Sequence, residues 1–157
     1  MAFLDFSLSR NFRNGFTLIE ILIITAAIGL LTVLAIPAYQ KHQNHRDIEQ
    51  AVKDISDISI VIAKYQLANN KLPDDLSILD LDNMQDPWGK PYQYISHKSA
   101  SDEKRRKDKN LRLINNDYDL YSTGKDGLTT TAVFEKSSLD DVIRANNGKW
   151  IGSGNNY

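Results

Sequence analysis

The chain has 157 residues, 25% of them charged, and a formal net charge of −1. That length holds one compact domain and a membrane segment but not two domains with separate cores, and the near-neutral balance excludes whole-chain attraction to nucleic acid, which needs a basic excess. No cysteine is present, which excludes disulfides, cysteine–zinc sites and thiol catalysis.

In chain order, a polar leader with Arg10 and Arg13 comes first, over residues 1 to 15. Residues 21 to 38 then run for eighteen positions without a charge, and adding residues 16 to 20 gives twenty-three. As a helix, that run crosses about 30 Å of hydrocarbon. A secretory signal peptide would place its apolar region before a small-residue cleavage site, so here the apolar run is expected to stay in the mature protein. Lys41 and Arg46 beyond it balance Arg10 and Arg13 before it, and the positive-inside rule gives no orientation. Glu20 lies inside the run. A carboxylate there costs up to about 3 kcal/mol at the bilayer centre, less near an end. Its position implies either a place in the headgroup layer or a positively charged partner.

The run Gly15-Phe16-Thr17-Leu18-Ile19-Glu20 followed by an apolar helix resembles the type IV prepilin signature shared by pilins and type II secretion pseudopilins. The resemblance implies that a prepilin peptidase cuts on the cytoplasmic side between Gly15 and Phe16 and N-methylates Phe16. It also implies that Glu20 pairs with the N-terminal amine of a neighbouring subunit during assembly, neutralising both charges. Gly29 and Pro37 weaken a helix interior and mark places where the helix can bend.

Past the apolar run, Ile48, Val52, Ile55, Ile58, Ile62 and Tyr65 recur at spacings of three and four, which predicts a continuing amphipathic helix. One helix from residue 16 to about 68 would be roughly 80 Å long, with Asn69, Asn70 and Pro73 ending it. Leu76, Leu79 and Leu81 predict a turn or short helix packed on the long one. Residues 86 to 91, Asp-Pro-Trp-Gly-Lys-Pro, predict a loop. Strand-like runs follow at residues 92 to 95, 111 to 114 and 118 to 122, which predicts a small antiparallel sheet laid across the helix. The expected fold class is α+β. Residues 97 to 110 are expected to be a solvated loop. Residues 98 to 112 hold seven basic and three acidic side chains, enough for a local positive patch.

A second resemblance lies in the downstream part. Asp86-Pro87-Trp88-Gly89-Lys90-Pro91-Tyr92-Gln93-Tyr94, then residues 119 to 127 (Asp-Leu-Tyr-Ser-Thr-Gly-Lys-Asp-Gly), then Asp140-Asp141, are similar to the G-type major pseudopilins of type II secretion. Residues 41 to 85 and 97 to 115 match in pattern alone. The resemblance implies a calcium loop with side-chain ligands Asp126, Asp140 and Asp141 and the Thr123 carbonyl as a backbone ligand. Those carboxylates suit calcium, which takes six to eight oxygen ligands. The stretch 128 to 139 between them is longer than the family pattern. The metal-free alternative makes Asp126-Gly127 a plain turn and Asp140-Asp141 a helix cap. Residues 117 to 122 lack the ligand spacing of an EF-hand.

His42 and His45 sit three apart on the predicted helix without an evident third ligand, and a solvated face is expected. No phosphate loop, nucleophile elbow or zinc-protease helix appears, so the chain is expected to be no enzyme. The resemblance implies a structural subunit of a type II secretion pseudopilus with three parts. These are a leader (1–15), a transmembrane and filament-core helix (16–38) and a periplasmic domain (39–157). Its partners would be its own copies, minor pseudopilins, the prepilin peptidase, and an inner-membrane platform with its ATPase. The N-terminus would be cytoplasmic and the domain periplasmic. The alternative is a type IV pilin or minor pilin that binds a surface or ligand. A membrane-anchored enzyme would show no processing at Gly15.

Overall fold

The computed structural model describes residues 15–98 and 100–157; the leader up to residue 14 lies outside the described residues. The chain divides into two compact units, Met1–Lys41 and His42–Tyr157. One helix, α1 (Leu18–Asn69), contributes its first part to the first unit and the rest to the second. Leucine and alanine favour it, and Asn70 ends it by turning left-handed at φ 54°, a conformation asparagine tolerates better than most residues. Pro37 lies inside α1, where its missing N–H leaves the Val33 carbonyl without its helical donor.

In the first unit the side chains of α1 are exposed, among them Leu22, Ile23, Ile28, Leu31 and Leu34. The stretch is long and apolar enough to cross a membrane. Its threonine hydroxyls are bonded locally: that of Thr25 donates to the carbonyls of Ile21 and Leu22, and that of Thr32 to the carbonyl of Ile28. Such internal bonding suits a helix in lipid, where water cannot serve.

In the second unit, α1 lies against a four-stranded antiparallel meander. Its strands are β1 (Gln93–Ser96), β2 (Tyr118–Ser122), β3 (Val142–Ala145) and β4 (Trp150–Ser153), in that order. Ala51, Ile55, Ile58 and Ile62 form the buried stripe of α1 and meet Tyr118, Leu120 and Val142 from one sheet face. Because strand side chains alternate, the next residues, Tyr121, Ile143 and Ala145, face the other way. They build a second cluster with Ile114 and Val133. The sheet is therefore covered on both faces, by α1 on one side and by the segments 106–115 and 128–134 on the other.

Three sequence expectations need correction. Residues 111 to 114 form no strand: Leu111 has φ 59° and is exposed, because Asp108 Oδ1 accepts the N–H groups of Asn110 and Arg112 and folds the segment into a turn. Asp140-Asp141 caps no helix, since β3 begins at Val142. Residues 97 to 110 are not wholly solvated, since His97 and Arg106 are buried. The predicted short helix near residue 77 is present as a 3-10 turn, Ser77–Leu79, and Leu76 enters the core.

Candidate functional site

The first candidate region is the start of α1. Thr17 stands just before the helix and Glu20 three residues on, and the two exchange hydrogen bonds. The Glu20 N–H donates to Thr17 Oγ1 at 3.3 Å, and the Thr17 N–H donates to Glu20 Oε2 at 3.3 Å. This reciprocal capping box satisfies two N–H groups that a helix start leaves open. It also puts a carboxylate at the positive end of the helix dipole. Glu20, Gly15 and Phe16 are all exposed. The Thr-x-x-Glu spacing in the sequence is itself a capping signal, a local role for Glu20 beside the headgroup and intersubunit ones. Further along, His42 is exposed and His45 Nε2 lies 3.2 Å from Glu49 Oε1, one turn on, both exposed.

The second region is the turn at residues 123 to 127 with the segment 138 to 141. Ser122, Asp86 and Lys90 shape the turn. Ser122 Oγ donates to Asp86 Oδ2 and accepts the Gly124 N–H. Lys90 Nζ donates to the carbonyls of Gly124 and Lys125 at 3.4 and 3.2 Å. Gly124 has φ 64°, and a Cβ there would stand 2.5 Å from the Asp140 carbonyl oxygen, so glycine is required. The segment 138 to 141 is pinned by the chain end: the N–H groups of Gly154 and Asn155 donate to the carbonyls of Asp141 and Leu139, and Ser153 Oγ to that of Leu139.

The expected ligand residues are neighbours, but their carboxylates are engaged separately. Asp140 Oδ2 accepts the Asp126 N–H at 3.0 Å, and Asp126 Oδ1 accepts the Leu128 N–H at 2.7 Å. Thr123 is half-buried at the start of the turn. Asp141 is fully buried, and its Oδ2 accepts from Arg106 Nη2 and from Thr129 Oγ1, each at 2.6 Å. Arg106 Nη1 in turn donates to Thr129 Oγ1 at 2.6 Å, and the guanidinium lies 4.3 Å from the centre of the Tyr121 ring. Burial pushes the Asp141 carboxyl above its ordinary value, and the charge and hydrogen bond of Arg106 oppose that rise. Among the described residues no three carboxylate or imidazole groups converge on a point where a metal could sit. The cations of Arg106 and Lys90 donate to oxygens at Asp141 and the turn, so the residues as arranged do not present the converging oxygen shell that calcium takes.

Behind Arg106 is a buried polar network that leaves little trace in the sequence. Asp119 Oδ2 accepts the Arg106 N–H at 2.8 Å and lies 3.0 Å from His97 Nε2, while Asn115 Nδ2 donates to Asp119 Oδ1 at 2.9 Å. Asp119 shares the sheet face of Tyr121 by strand alternation, the one sign in the sequence that a charged residue of β2 points into the structure. Nothing in the run Lys104-Arg105-Arg106-Lys107 separates the buried arginine from its more exposed neighbours.

The chain is similar to proteins named type II secretion system core protein G. The one from Aeromonas hydrophila is 29% identical over 110 residues, covering 57% of this chain and 77% of the relative. The one from Pseudomonas aeruginosa is 27% identical over 141 residues, covering 76% of this chain and 89% of the relative. A fimbrial protein of Neisseria meningitidis is 28% identical over 91 residues, covering 58% of this chain and 54% of that protein. No family model matches the chain. No solved structure matches it either.

Proposed function

On the premise that this chain is a pseudopilin of the pilin and pseudopilin superfamily, we propose that it builds a type II secretion pseudopilus, packing through the apolar half of α1. The observation that carries the reading is that exposed apolar half, headed by an exposed carboxylate, in a chain similar to core protein G over three quarters of its length. An apolar helix surface of this size is satisfied by lipid before assembly and by copies of itself afterwards.

In this reading the peptidase cuts between Gly15 and Phe16 and methylates Phe16, and the new amine is met by Glu20 of a neighbouring copy. Burial of two opposite charges is tolerable when each neutralises the other. An unmatched stagger would leave a carboxylate and an ammonium unpaired in apolar surroundings, so the pair selects one axial register. The capping box gives Glu20 two local donors until that partner arrives. Pro37 leaves α1 a weak point for bending as the subunit leaves the bilayer.

The apolar run over residues 16 to 38 holds the subunit in the inner membrane, with its N-terminus cytoplasmic and residues 39 to 157 periplasmic. The partners are copies of the chain, minor pseudopilins, and the inner-membrane platform with its ATPase. The role is that of a structural subunit rather than a catalyst. A type IV pilin or minor pilin with a binding role is the second reading, favoured by the similarity to the fimbrial protein.

Mass spectrometry of the chain from membranes, with and without an active prepilin peptidase, tests the reading. The expected mature species begins at Phe16 and carries one added methyl group. A full-length species in the presence of active peptidase would refute it.

A further inference from the structure

We propose that the cation holding the C-terminal loop together is this chain's own Arg106, so that the loop's stability does not depend on calcium. The inference concerns the loop alone and stands whether or not the pseudopilus reading does. Resemblance to the G-type pseudopilins implies calcium at Asp126, Asp140 and Asp141, and the side chains here are arranged otherwise.

Asp141 is the deepest of the three acids, with 0% of its side chain exposed, and Arg106 beside it is 1% exposed. A lone buried carboxylate would be costly, and the guanidinium supplies the opposite charge at 2.6 Å. Thr129 completes the arrangement by bonding to both partners. Calcium sits 2.3–2.6 Å from its ligand oxygens, which for Asp141 Oδ2 would place a divalent ion within a few ångströms of the guanidinium. At that oxygen the two cations would compete.

Arg106 is not free to leave cheaply. Its own N–H is bonded to Asp119 and its carbonyl accepts the Ile114 N–H. The next residue is stitched on both sides, the Lys107 N–H donating to the Thr131 carbonyl and the Lys107 carbonyl accepting the Val133 N–H. The guanidinium face is stacked on Tyr121. Arg106 itself lies in residues 97 to 115, a segment outside the motifs that resemble the family, and is held mainly by residues 119 to 133.

The neighbouring groups have protein donors of their own. Lys90 Nζ takes the carbonyls of Gly124 and Lys125, and Asp126 and Asp140 each hold a backbone N–H. The oxygen Asp141 Oδ1 has no protein donor, but no third carboxylate or imidazole converges with it among the described residues, and calcium needs six to eight oxygens.

The test is thermal unfolding of the detergent-solubilised full chain, in excess calcium and in excess chelator, for the wild type, Arg106→Gln, Asp141→Asn and the double variant. The wild type is expected to melt at the same temperature in both buffers. Arg106→Gln should melt lower by roughly 6 °C or more in chelator, as one half of a buried pair is removed. Adding Asp141→Asn to Arg106→Gln should restore part of that loss by removing the stranded charge. A rise of roughly 5–10 °C for the wild type in calcium, the size expected at a hundredfold excess over a dissociation constant, would overturn the proposal if Asp141→Asn abolished it. Wild-type melting by Arg106→Gln would overturn it as well. If Arg106→Gln does not fold, the wild-type comparison in the two buffers decides alone.

Discussion

The hydroxyl of Tyr92 donates to Asp54 Oδ2 at 2.9 Å in the buried space between α1 and the loop that enters β1. Gln50, one turn earlier on α1, donates to the other oxygen at 2.7 Å. Burial, reinforced by the neighbouring Asp54 carboxylate, pushes the Tyr92 hydroxyl far above its ordinary value, so it remains a donor at any physiological pH. Tyr92→Phe keeps the ring and removes one donor from a buried carboxylate. Denaturant unfolding should show a loss of about 1–3 kcal/mol.

The pair of Arg144 and Asp117 makes a pH-dependent contribution. Arg144 Nη1 and Nη2 reach Asp117 Oδ1 and Oδ2 at 2.9 and 2.7 Å, and the guanidinium stacks 3.9 Å from the centre of the Tyr118 ring. Burial alone would raise the Asp117 carboxyl, but the Arg144 hydrogen bonds, the Tyr118 N–H and the Arg144 charge outweigh it and hold it below its ordinary value of 3.8. A carboxyl depressed in the folded state adds stability above its unfolded value and loses it as pH falls through the folded one. Asp117→Asn should therefore melt below the wild type at neutral pH, with the gap closing below about pH 4. Parallel melting curves across that range would contradict the assignment.

Gly124 is the position where the turn tolerates no side chain. Its φ is 64°, and a Cβ would collide with the Asp140 backbone, which cannot yield without disturbing the bond between the Gly154 N–H and the Asp141 carbonyl. Gly124→Ala should cost about 2 kcal/mol or more. Gly89, also at positive φ but with open space around its Cβ position, should cost only the smaller left-handed penalty of about 1–2 kcal/mol. Comparing the two alanine variants by thermal unfolding separates collision from backbone strain.

The parts of the fold readable from the sequence are those whose pattern has a single cause. The stripe from Ile48 to Ile62 follows the helical period because one face of α1 meets the sheet. In the same way, β2 alternates because its two faces meet different clusters. By contrast, β3 and β4 carry no such single-cause pattern. Arg144 breaks the apolar run of β3 although its charge is neutralised by a partner 27 residues earlier, and Gly152 interrupts β4 where Trp150 packs against the space a side chain would fill. The apolar spacing of Leu111, Leu113 and Ile114 predicted a strand, but the side chain of Asp108 decided that turn.

At the candidate sites the same limit applies. The motif at Gly15 to Glu20 is contiguous and could be read directly. The surroundings of Asp141 depend on Arg106, 35 residues earlier. That pairing is a property of the tertiary fold, and a charge run in sequence gives no hint of which member turns inward.

Glu20 carries the central claim, and Glu20→Gln tests it most directly. Glutamine can keep the capping box with Thr17 while removing the charge that would meet a neighbour's amine. The variant and the wild type would be expressed with the cognate assembly machinery, and membrane content and sheared filament yield measured for each. Normal membrane content with a severalfold loss of filaments is the predicted result. Filament yield equal to the wild type would contradict a role for the Glu20 charge in assembly.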